Sequence, residues 1–343
     1  MPAVRYIVAL DIGGANIKAS DGEHLSLSQP FALWREPERL SAAIVDILRR
    51  FPSPTTLAVT MTGELADCFA TKAEGVDRIL GAVEQAAPQS TVAVWQTGGE
   101  FLAPSEARDL VPLVAAANWH ALASWAARSV STGAGLLIDI GSTTTDIIPL
   151  RDGGPATTGH TDLERLLAHE LVYTGVRRTP LCAVLPAVPL RGRECPLAAE
   201  LFATMLDIYL ILGNIAEDED DLNTANGRPA TFAAAHDRLA RMLCCDVSEV
   251  DTAERTVVAQ AFAVAQQQRL TAAVKAVLAR SPQPCGQIII TGEGEFLAER
   301  ILIRLPETER VPRVSLSRTL GDAHSQSACA YALARLARER STP

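Results

Sequence analysis

Two short segments of the chain share a residue pattern that could bind a phosphate group. Asp11 is followed by Ile, Gly13 and Gly14, and far downstream Asp139 is followed by Ile, Gly141 and a run of hydroxyl residues. Apolar runs flank each segment, so each is expected to form two strands joined by a tight turn with exposed backbone N–H groups. A lone Asp-x-Gly turn is usually structural, but its repetition at the spacing of a whole domain predicts two related domains.

The side chains of these segments suit a polyphosphate. Glycine allows a phosphate to approach the backbone closely, and amide and hydroxyl groups donate hydrogen bonds to its oxygens. Carboxylates beside phosphates are ligands that Mg²⁺ prefers. We therefore expect Mg²⁺ at Asp11, Asp139 and Asp146, catalytic roles for Asp11, Lys18 and Asp139, and a di- or triphosphate at Gly13, Gly14, Asn16, Gly141, Ser142, Thr143 and Thr144. Neither a P-loop pattern nor a dinucleotide-binding fingerprint occurs in the sequence.

The elements around both segments alternate between strands and helices, which predicts an α/β fold whose sheets are covered by helices. Apolar periodicity predicts long helices at 114–128 and 196–212, among others. The expected divisions are a first domain over 1–132, a second domain over 133–321, a helical insert around 195–280, and a closing helix within 322–340 that packs on the first domain.

The composition excludes several classes of protein. The chain has 343 residues, of which 48% are hydrophobic and 21% charged, and its formal net charge is −9. The apolar content argues against disorder, and the acidic balance argues against binding to nucleic acid or anionic membranes. The sequence starts without the pattern of a secretory signal, and polar residues interrupt its most apolar stretch, 111–130. We therefore expect a cytoplasmic protein without a membrane span.

Further strings of residues resemble known families. The Asp-Ile-Gly segments and the strand with a glycine turn at 288–294 resemble the phosphate and adenosine motifs of the superfamily of acetate and sugar kinases, heat-shock chaperones and actin. That resemblance implies two ribonuclease H-like domains in an actin-like arrangement with a cleft between them. Other strings are similar to the hydantoinase/oxoprolinase-related family, in the branch linked to the tetrahydromethanopterin one-carbon pathway, and they lie at 61–76, 117–121, 170–180, 227–229 and 238–244.

The family resemblance, which covers nearly the whole chain, also implies a reaction. Methanogen members of the branch act in methanofuran assembly. This implies a Mg²⁺-dependent transferase that couples an (aminomethyl)furanmethyl diphosphate to the phenol of a γ-glutamyl-tyramine-type acceptor and releases diphosphate. The phenol has an ordinary pKa of about 10 and needs a proton acceptor. The candidate acceptors are Glu64, Asp67, Glu74 and His120, with Lys72 as a further catalytic candidate. Substrate contacts are expected from Glu64, Asn118, Tyr173, Arg177, Arg178, Arg228, Gly292 and Glu293.

Most of these candidates also fit an ordinary structural role. Lys72 and Glu74 fall at a helix start, where surface charges are common, and Asp67 is also typical of a helix cap. His120 suits a packed helix face as well as a catalytic position, and His160 could either reach a ligand near the second hairpin or be solvated. The sequence alone does not choose between these roles.

Two other functions remain open from the sequence. An ATP-dependent kinase or a hydantoinase-like amidohydrolase could use the same cleft, and a nucleotide-switching scaffold could share the same fold. The chain lacks a peptide-binding domain or a polymer insert, which argues against the scaffold. The turn at 288–294 decides between the others, because it would bind either adenine or an aryl acceptor. The oligomeric state, a homo-oligomer included, is also left open.

Overall fold

The computed structural model of the protein describes residues 6–341, and two β-sheets form its centre. The first sheet has the strand order β3-β2-β1-β4-β5-β6. Its strands are β1 (Ile7–Ile12), β2 (Asn16–Ser20), β3 (Ser26–Pro30), β4 (Thr56–Met61), β5 (Thr91–Trp95) and β6 (Phe101–Leu102). The helices of this half are α1 (Leu40–Leu48), α2 (Lys72–Ala86), α3 (Pro104–Asp109), α4 (Val111–Val114) and α5 (Asn118–Ala126).

The second sheet has the order β10-β8-β7-β13-β14, and β9 pairs with β8. The strands of this half are β7 (Ala134–Ile140), β8 (Thr145–Arg151), β9 (Gly154–Pro155), β10 (Leu171–Val172), β11 (Ala187–Leu190), β12 (Arg193–Pro196), β13 (Cys285–Thr291) and β14 (Arg313–Ser315). Its helices are α6 (Asp162–Leu167), α7 (Met205–Ile211), α8 (Phe232–Met242), α9 (Thr252–Arg280), α10 (Glu295–Ile303), α11 (Leu316–Leu320), α12 (Asp322–Gln326) and α13 (Ala328–Ser341).

Short 3₁₀ helices supplement these elements at Pro37–Arg39, Ala127–Ser129, Leu181–Ala183 and Pro306–Thr308. Among residues 6–341, no helix combines the length and the apolar character that a membrane crossing requires.

The two sheets repeat the same hairpin at their centres. Asp11 pairs with Lys18 across the antiparallel β1–β2 hairpin, and Asp139 pairs with Asp146 across β7–β8. The same backbone hydrogen bond closes each turn. The glycine two positions after the aspartate donates its N–H to the carbonyl of the residue three positions beyond that glycine, and the distance is 2.9 Å in both hairpins. On its other side, β1 pairs in parallel with β4, as β7 does with β13. The duplication expected from the sequence is therefore present in the register of the strands.

Helices α5 and α13 lie between the two sheets. Ala121 of α5 and Leu333 of α13 pack with Ala9 of the first sheet. Leu122 of α5 and Ala332 of α13 share a second apolar cluster with strands β7, β8 and β13 of the second sheet. Because both helices contact both sheets, they fix the distance between the two hairpins. The final helix also lies against β1, β2 and β4.

The structure corrects several predicted elements. The helix expected at 114–128 is interrupted at residues 115–117, where Ala116 adopts a positive φ of 50° that leaves the helical conformation. The helix expected at 196–212 begins only at Met205, because Thr204 caps it and Pro196 ends a strand. The insert around 195–280 therefore starts with part of a β-hairpin. The closing segment forms α12 and α13 with a break between them, and Ser327 in the break hydrogen-bonds to the carbonyl of Leu27.

Helix α2 packs tightly against the loop that follows β4. A Cβ atom placed on Gly75 would lie 2.1 Å from the carbonyl oxygen of Glu64, a distance that real side chains do not adopt. The same helix contains Gly81, around which a Cβ would meet no atom within 4 Å. Gly75 therefore sets how closely α2 approaches the backbone of Glu64, whereas Gly81 has no such role.

We expect Gly75→Ala to lower the free energy of unfolding by about 1–3 kcal/mol, because the added methyl group overpacks the contact between helix and loop. Gly81→Ala is the matched control, and its better helix propensity should leave stability unchanged or raise it by up to about 1 kcal/mol. Urea unfolding of both variants measures the difference. Equal effects of the two substitutions would contradict the packing described for Gly75.

Candidate functional site

A cavity of about 530 Å³ opens where the two hairpins face each other. We call it the first cavity. Both hairpin turns line it, together with residues 64–67, the break before α5, part of α6 and the strand β10. A second cavity of about 560 Å³ adjoins it beside the turn at Gly292. Lys18, Asp139, Gly141 and Ser142 are among the residues that border both cavities, so the hairpins form a shared boundary.

Asp11 lies at the end of β1 and is 5% exposed. Its Oδ2 accepts a long hydrogen bond of 3.4 Å from Nδ2 of Asn118, while its buried Oδ1 has no hydrogen-bond partner. Burial raises the pKa of Asp11, and the positive charge of Lys18 opposes that rise. Burial alone would lower the pKa of Lys18, but nearby groups, above all Asp11, outweigh it and raise the pKa. The first hairpin thus carries two buried, oppositely charged groups that influence each other electrostatically, and one carboxylate oxygen of Asp11 has no partner.

Asp139 occupies the equivalent position at the end of β7. Burial, reinforced by the charge of Asp146, raises the pKa of Asp139 to about 7. The turn at Gly292 lies against it, since a Cβ on Gly292 would come within 2.5 Å of the Asp139 carboxylate. The site therefore concentrates negative charge that Lys18 only partly compensates. A cation brought by a ligand would remove this imbalance.

The carboxylates do not form a complete metal cage by themselves. Across residues 6–341, no group of three or more His, Cys, Asp or Glu side chains is placed to hold a metal ion. Mg²⁺, however, is commonly held by one or two carboxylates together with substrate phosphates. The unpartnered oxygen of Asp11 and the high pKa of Asp139 fit that kind of site.

Asp146 has a different partner from the one expected. Nη2 of Arg165, a side chain that is 1% exposed, donates to Oδ1 of Asp146 at 2.5 Å and to the carbonyl of Glu170 at 3.2 Å. The guanidinium also lies over the ring of Trp119, 4.1 Å from its centre. The sequence analysis did not identify Arg165, because it lies on α6 outside every motif. It forms an ion pair with Asp146 in the wall of the first cavity.

Two of the expected proton acceptors, Glu64 and Asp67, line the first cavity. Glu64 is 1% exposed, and its Oε2 has no hydrogen-bond partner, whereas Asp67 is exposed to solvent. Burial raises the pKa of Glu64 to about 7, despite the opposing effects of its own backbone N–H and of Lys72.

The other expected catalytic groups lie outside the lining of both cavities. Glu74 accepts a hydrogen bond from the N–H of Ala70 at 2.9 Å and so helps to begin α2. Lys72 is the first residue of the same helix, and its positive charge lowers the pKa of Glu64 in the cavity wall. His120 contacts Oγ of Ser124 at 3.3 Å, and burial lowers its pKa to about 4. The exposed His160 has its backbone N–H bonded to the carboxylate of Glu164.

Arg177 lies in the wall of the second cavity. Its Nε lies 2.6 Å from Oε2 of Glu293, and its Nη1 lies 2.8 Å from Oδ2 of Asp221. Burial lowers its pKa, but Glu293 and Asp221 reverse this effect and raise it. The guanidinium thereby ties the acidic loop at 217–221 to the turn after β13.

The remaining expected substrate residues divide between the cavity walls and the outer surface. Arg178 and Tyr173 are exposed and line the first cavity, and Arg178 also borders the second. Arg228 instead pairs with Asp237 at 2.8 Å and lines neither cavity. The buried thiol of Cys329 borders both cavities, although no sequence signal indicated it. Burial raises the pKa of this thiol well above its ordinary value, so it stays protonated.

Two solved structures are similar to this protein over most of its length. Nucleotide-free acetone carboxylase has a TM-score of 0.50 and 11% identity, over 93% of this chain and 51% of its own. An archaeal actin homologue in complex with ADP has a TM-score of 0.46 and 13% identity, over 97% of this chain and 99% of its own. At these identities the likeness concerns the fold alone. The two sheets with their equivalent hairpins give the protein the duplicated α/β fold that the sequence implied.

The sequence relatives are more specific. A protein of Methanocaldococcus jannaschii named (4-{4-[2-(gamma-L-glutamylamino)ethyl]phenoxymethyl}furan-2-yl)methanamine synthase is 33% identical over 334 residues, which cover 96% of this chain and 97% of that protein. The model of the hydantoinase/oxoprolinase family matches residues 55–340, which include the second hairpin and most of the lining of both cavities. These matches confirm the family expected from the sequence strings. The chain belongs to the hydantoinase/oxoprolinase family.

Proposed function

We propose that this protein is a transferase that joins a furanylmethyl diphosphate to a phenolic acceptor and releases diphosphate, in the synthesis of a methanofuran-type cofactor. The observation that carries the proposal is the pair of equivalent hairpins, which meet at one cavity and present an unpartnered buried carboxylate oxygen on Asp11. The name of the M. jannaschii relative describes a phenoxymethylfuran. The ether bond in that product is the bond that the proposed reaction forms.

The hairpin turns are suited to bind the diphosphate. Their exposed backbone N–H groups and the hydroxyls of Ser142, Thr143 and Thr144 supply hydrogen-bond donors along the cavity wall. Lys18 and Arg178 add positive charge beside both cavities, and Arg178 has no side-chain partner among residues 6–341. Donors that are fixed before the reaction stabilise negative charge as it develops on a leaving group.

The residues present also fit a Mg²⁺ ion. Asp11 and Asp139 would hold it, with phosphate oxygens of the donor completing its coordination. When bound, Mg²⁺ would act as a Lewis acid that stabilises the leaving diphosphate. Asp146 contributes less directly than the sequence implied, because it is already paired with Arg165.

The outer part of the first cavity suits the aromatic groups of both substrates. Trp34, Leu65, Trp119 and Tyr173 line it, and all except Trp119 are well exposed in the absence of ligand. The electron-rich furan ring stabilises positive charge on its methylene carbon, so the acceptor oxygen need not be strongly nucleophilic. The cytoplasmic location and the small-molecule partners expected from the sequence belong to this same proposal.

An ATP-dependent kinase or an amidohydrolase is the second candidate. The turn at Gly292, with a φ of 89°, favours this second candidate, because a nucleoside could bind close to the backbone of such a turn after a buried strand. Against this, Arg177 is held by Glu293 and Asp221 on the wall of the cavity beside that turn. We favour the transferase because it does not require this ion-pair network to open.

The purified protein, given an (aminomethyl)furanmethyl diphosphate, γ-glutamyl-tyramine and Mg²⁺, should form the ether and release one diphosphate per product without ATP. Mass spectrometry and a diphosphate assay measure the two products. Two results would instead support the kinase or amidohydrolase. One is ether formation that requires ATP, and the other is hydrolysis of ATP alone at a rate comparable to that of ether formation.

Replacing either hairpin aspartate should abolish turnover without unfolding the protein. Asp11→Asn and Asp139→Asn keep the side-chain shape but remove the charge that would hold the metal, so we expect kcat to fall by at least about 100-fold. Glu74→Gln, which alters a helix-capping carboxylate outside both cavities, is the control and should retain wild-type activity. Wild-type rates of diphosphate release from either aspartate variant would rule out the paired-hairpin site.

A further inference from the structure

We propose that Glu64 is the catalytic base of this site and accepts the proton of the acceptor hydroxyl group. The inference rests on the proposed function and adds to it a group that handles the proton. Glu64 lies three residues after β4, and its side chain reaches the wall of the first cavity together with Asp11 and the turns of both hairpins. The group that takes the proton therefore shares one cavity with the groups that hold the diphosphate.

The environment of Glu64 points to a ligand. The side chain is 1% exposed, and its Oε2 has no hydrogen-bond partner. Burying a carboxylate oxygen without a partner is unfavourable, and buried polar groups in folded proteins are nearly always hydrogen-bonded. Since this carboxyl group lines a cavity, a substrate hydroxyl in that cavity would supply the missing partner.

Two backbone features hold Glu64 in this position. Gly75 of α2 lies against its carbonyl oxygen and leaves no room for a side chain. Ala116, in the left-handed conformation at the break before α5, also lines the cavity, and its backbone N–H interacts with the Glu64 carboxyl group. A non-glycine residue with positive φ is strained, and such strain is common at functional sites. Both features fix the loop that carries the carboxyl group.

The charges around Glu64 suit a base that works near neutral pH. The charged groups that face it are Lys72 at the start of α2 and Asp162 at the start of α6. Burial raises the pKa of Glu64 to about 7, Lys72 lowers it and Asp162 raises it. A base whose pKa lies near the working pH is deprotonated often enough to act and basic enough to take a proton.

The other candidates lack this combination. Asp67 lines the cavity but is exposed, so water already solvates its carboxylate. Glu74 is engaged with the backbone of Ala70. His120 packs against the rings of Trp95 and Trp119 and lies outside the cavity lining. Among these four, only Glu64 lines the cavity with a buried carboxylate oxygen that has no hydrogen-bond partner.

The step balances without another reactant. The phenolic O–H bond breaks, and its proton passes to the carboxylate of Glu64. The phenol oxygen forms a bond to the methylene carbon of the furan, while the bond from that carbon to the diphosphate oxygen breaks. The bonding electron pair leaves with the diphosphate, and Glu64 later returns the proton to solvent.

The test compares Glu64→Gln with the wild-type protein and with Glu74→Gln. We expect Glu64→Gln to lower kcat by about 100-fold or more, as is typical for loss of a general base, with KM for the diphosphate donor changed less than about threefold. Acceptors with more acidic phenols, such as fluorinated tyramine derivatives, should restore part of the activity of Glu64→Gln, because they need less help to lose the proton. Glu74→Gln should show neither effect.

Two results would overturn the proposal. One is wild-type kcat in Glu64→Gln, and the other is a loss of activity that is the same for every phenol. If the wild-type protein itself forms no ether, the proposed function fails, and that outcome is distinct from a failure of the role of Glu64.

A stability measurement separates this role from a structural one. The ordinary pKa of Glu64 is 4.5 and its pKa in the folded protein is about 7. The folded state therefore binds this proton more tightly, and the wild-type protein loses stability as the pH rises through that window. Glu64→Gln should thus have a higher Tm than the wild type at pH 8 and an equal Tm near pH 4. A lower Tm at pH 8 would show that the folded protein stabilises the charged form of Glu64 over the neutral form and would contradict the proposal.

Discussion

The structure depends on an unfavourable concentration of buried negative charge. Asp11 and Asp139 lie near the ends of the central strands of two sheets, and the fold brings them to one cavity together with Lys18. Burial raises the pKa of both carboxyl groups, and the negative charge of Asp146 adds to the rise in each. A protein retains such an arrangement when a ligand compensates for it, and a polyphosphate with a divalent cation is the kind of ligand that the hairpin turns can bind.

The rest of the molecule holds these two hairpins in register. Helices α5 and α13 pack on both sheets and set their separation. Gly175 has a similar effect at the second hairpin, where a Cβ would come within 2.4 Å of the carbonyl oxygen of Gly141. Arg165 completes the second hairpin by pairing with Asp146 beneath the ring of Trp119. The cavity is therefore a product of long-range packing and not only of the two turns.

The sequence predicted those parts of the site that are local and repeated. The hairpins could be found because their strands and turns occupy consecutive residues, and their duplication gave the fold. Arg165 could not be found, because an isolated arginine on a short helix carries no signal until the helix is placed against β8. The break at Ala116 was missed for a related reason, since an alanine-rich stretch favours continuous helix and only tertiary packing imposes the left-handed residue. The role of Glu74 could have been found, because Thr71 followed three residues later by glutamate is the pattern of a capping box.

The most direct test of the central claim is a calorimetric titration of the protein with diphosphate and Mg²⁺, compared with a titration with ATP and Mg²⁺. If the paired hairpins bind the leaving group of a diphosphate donor, diphosphate should bind at one site per chain and at least about tenfold more tightly than ATP, a difference of about 1.4 kcal/mol. Tighter binding of ATP, with no measurable binding of diphosphate, would contradict the account.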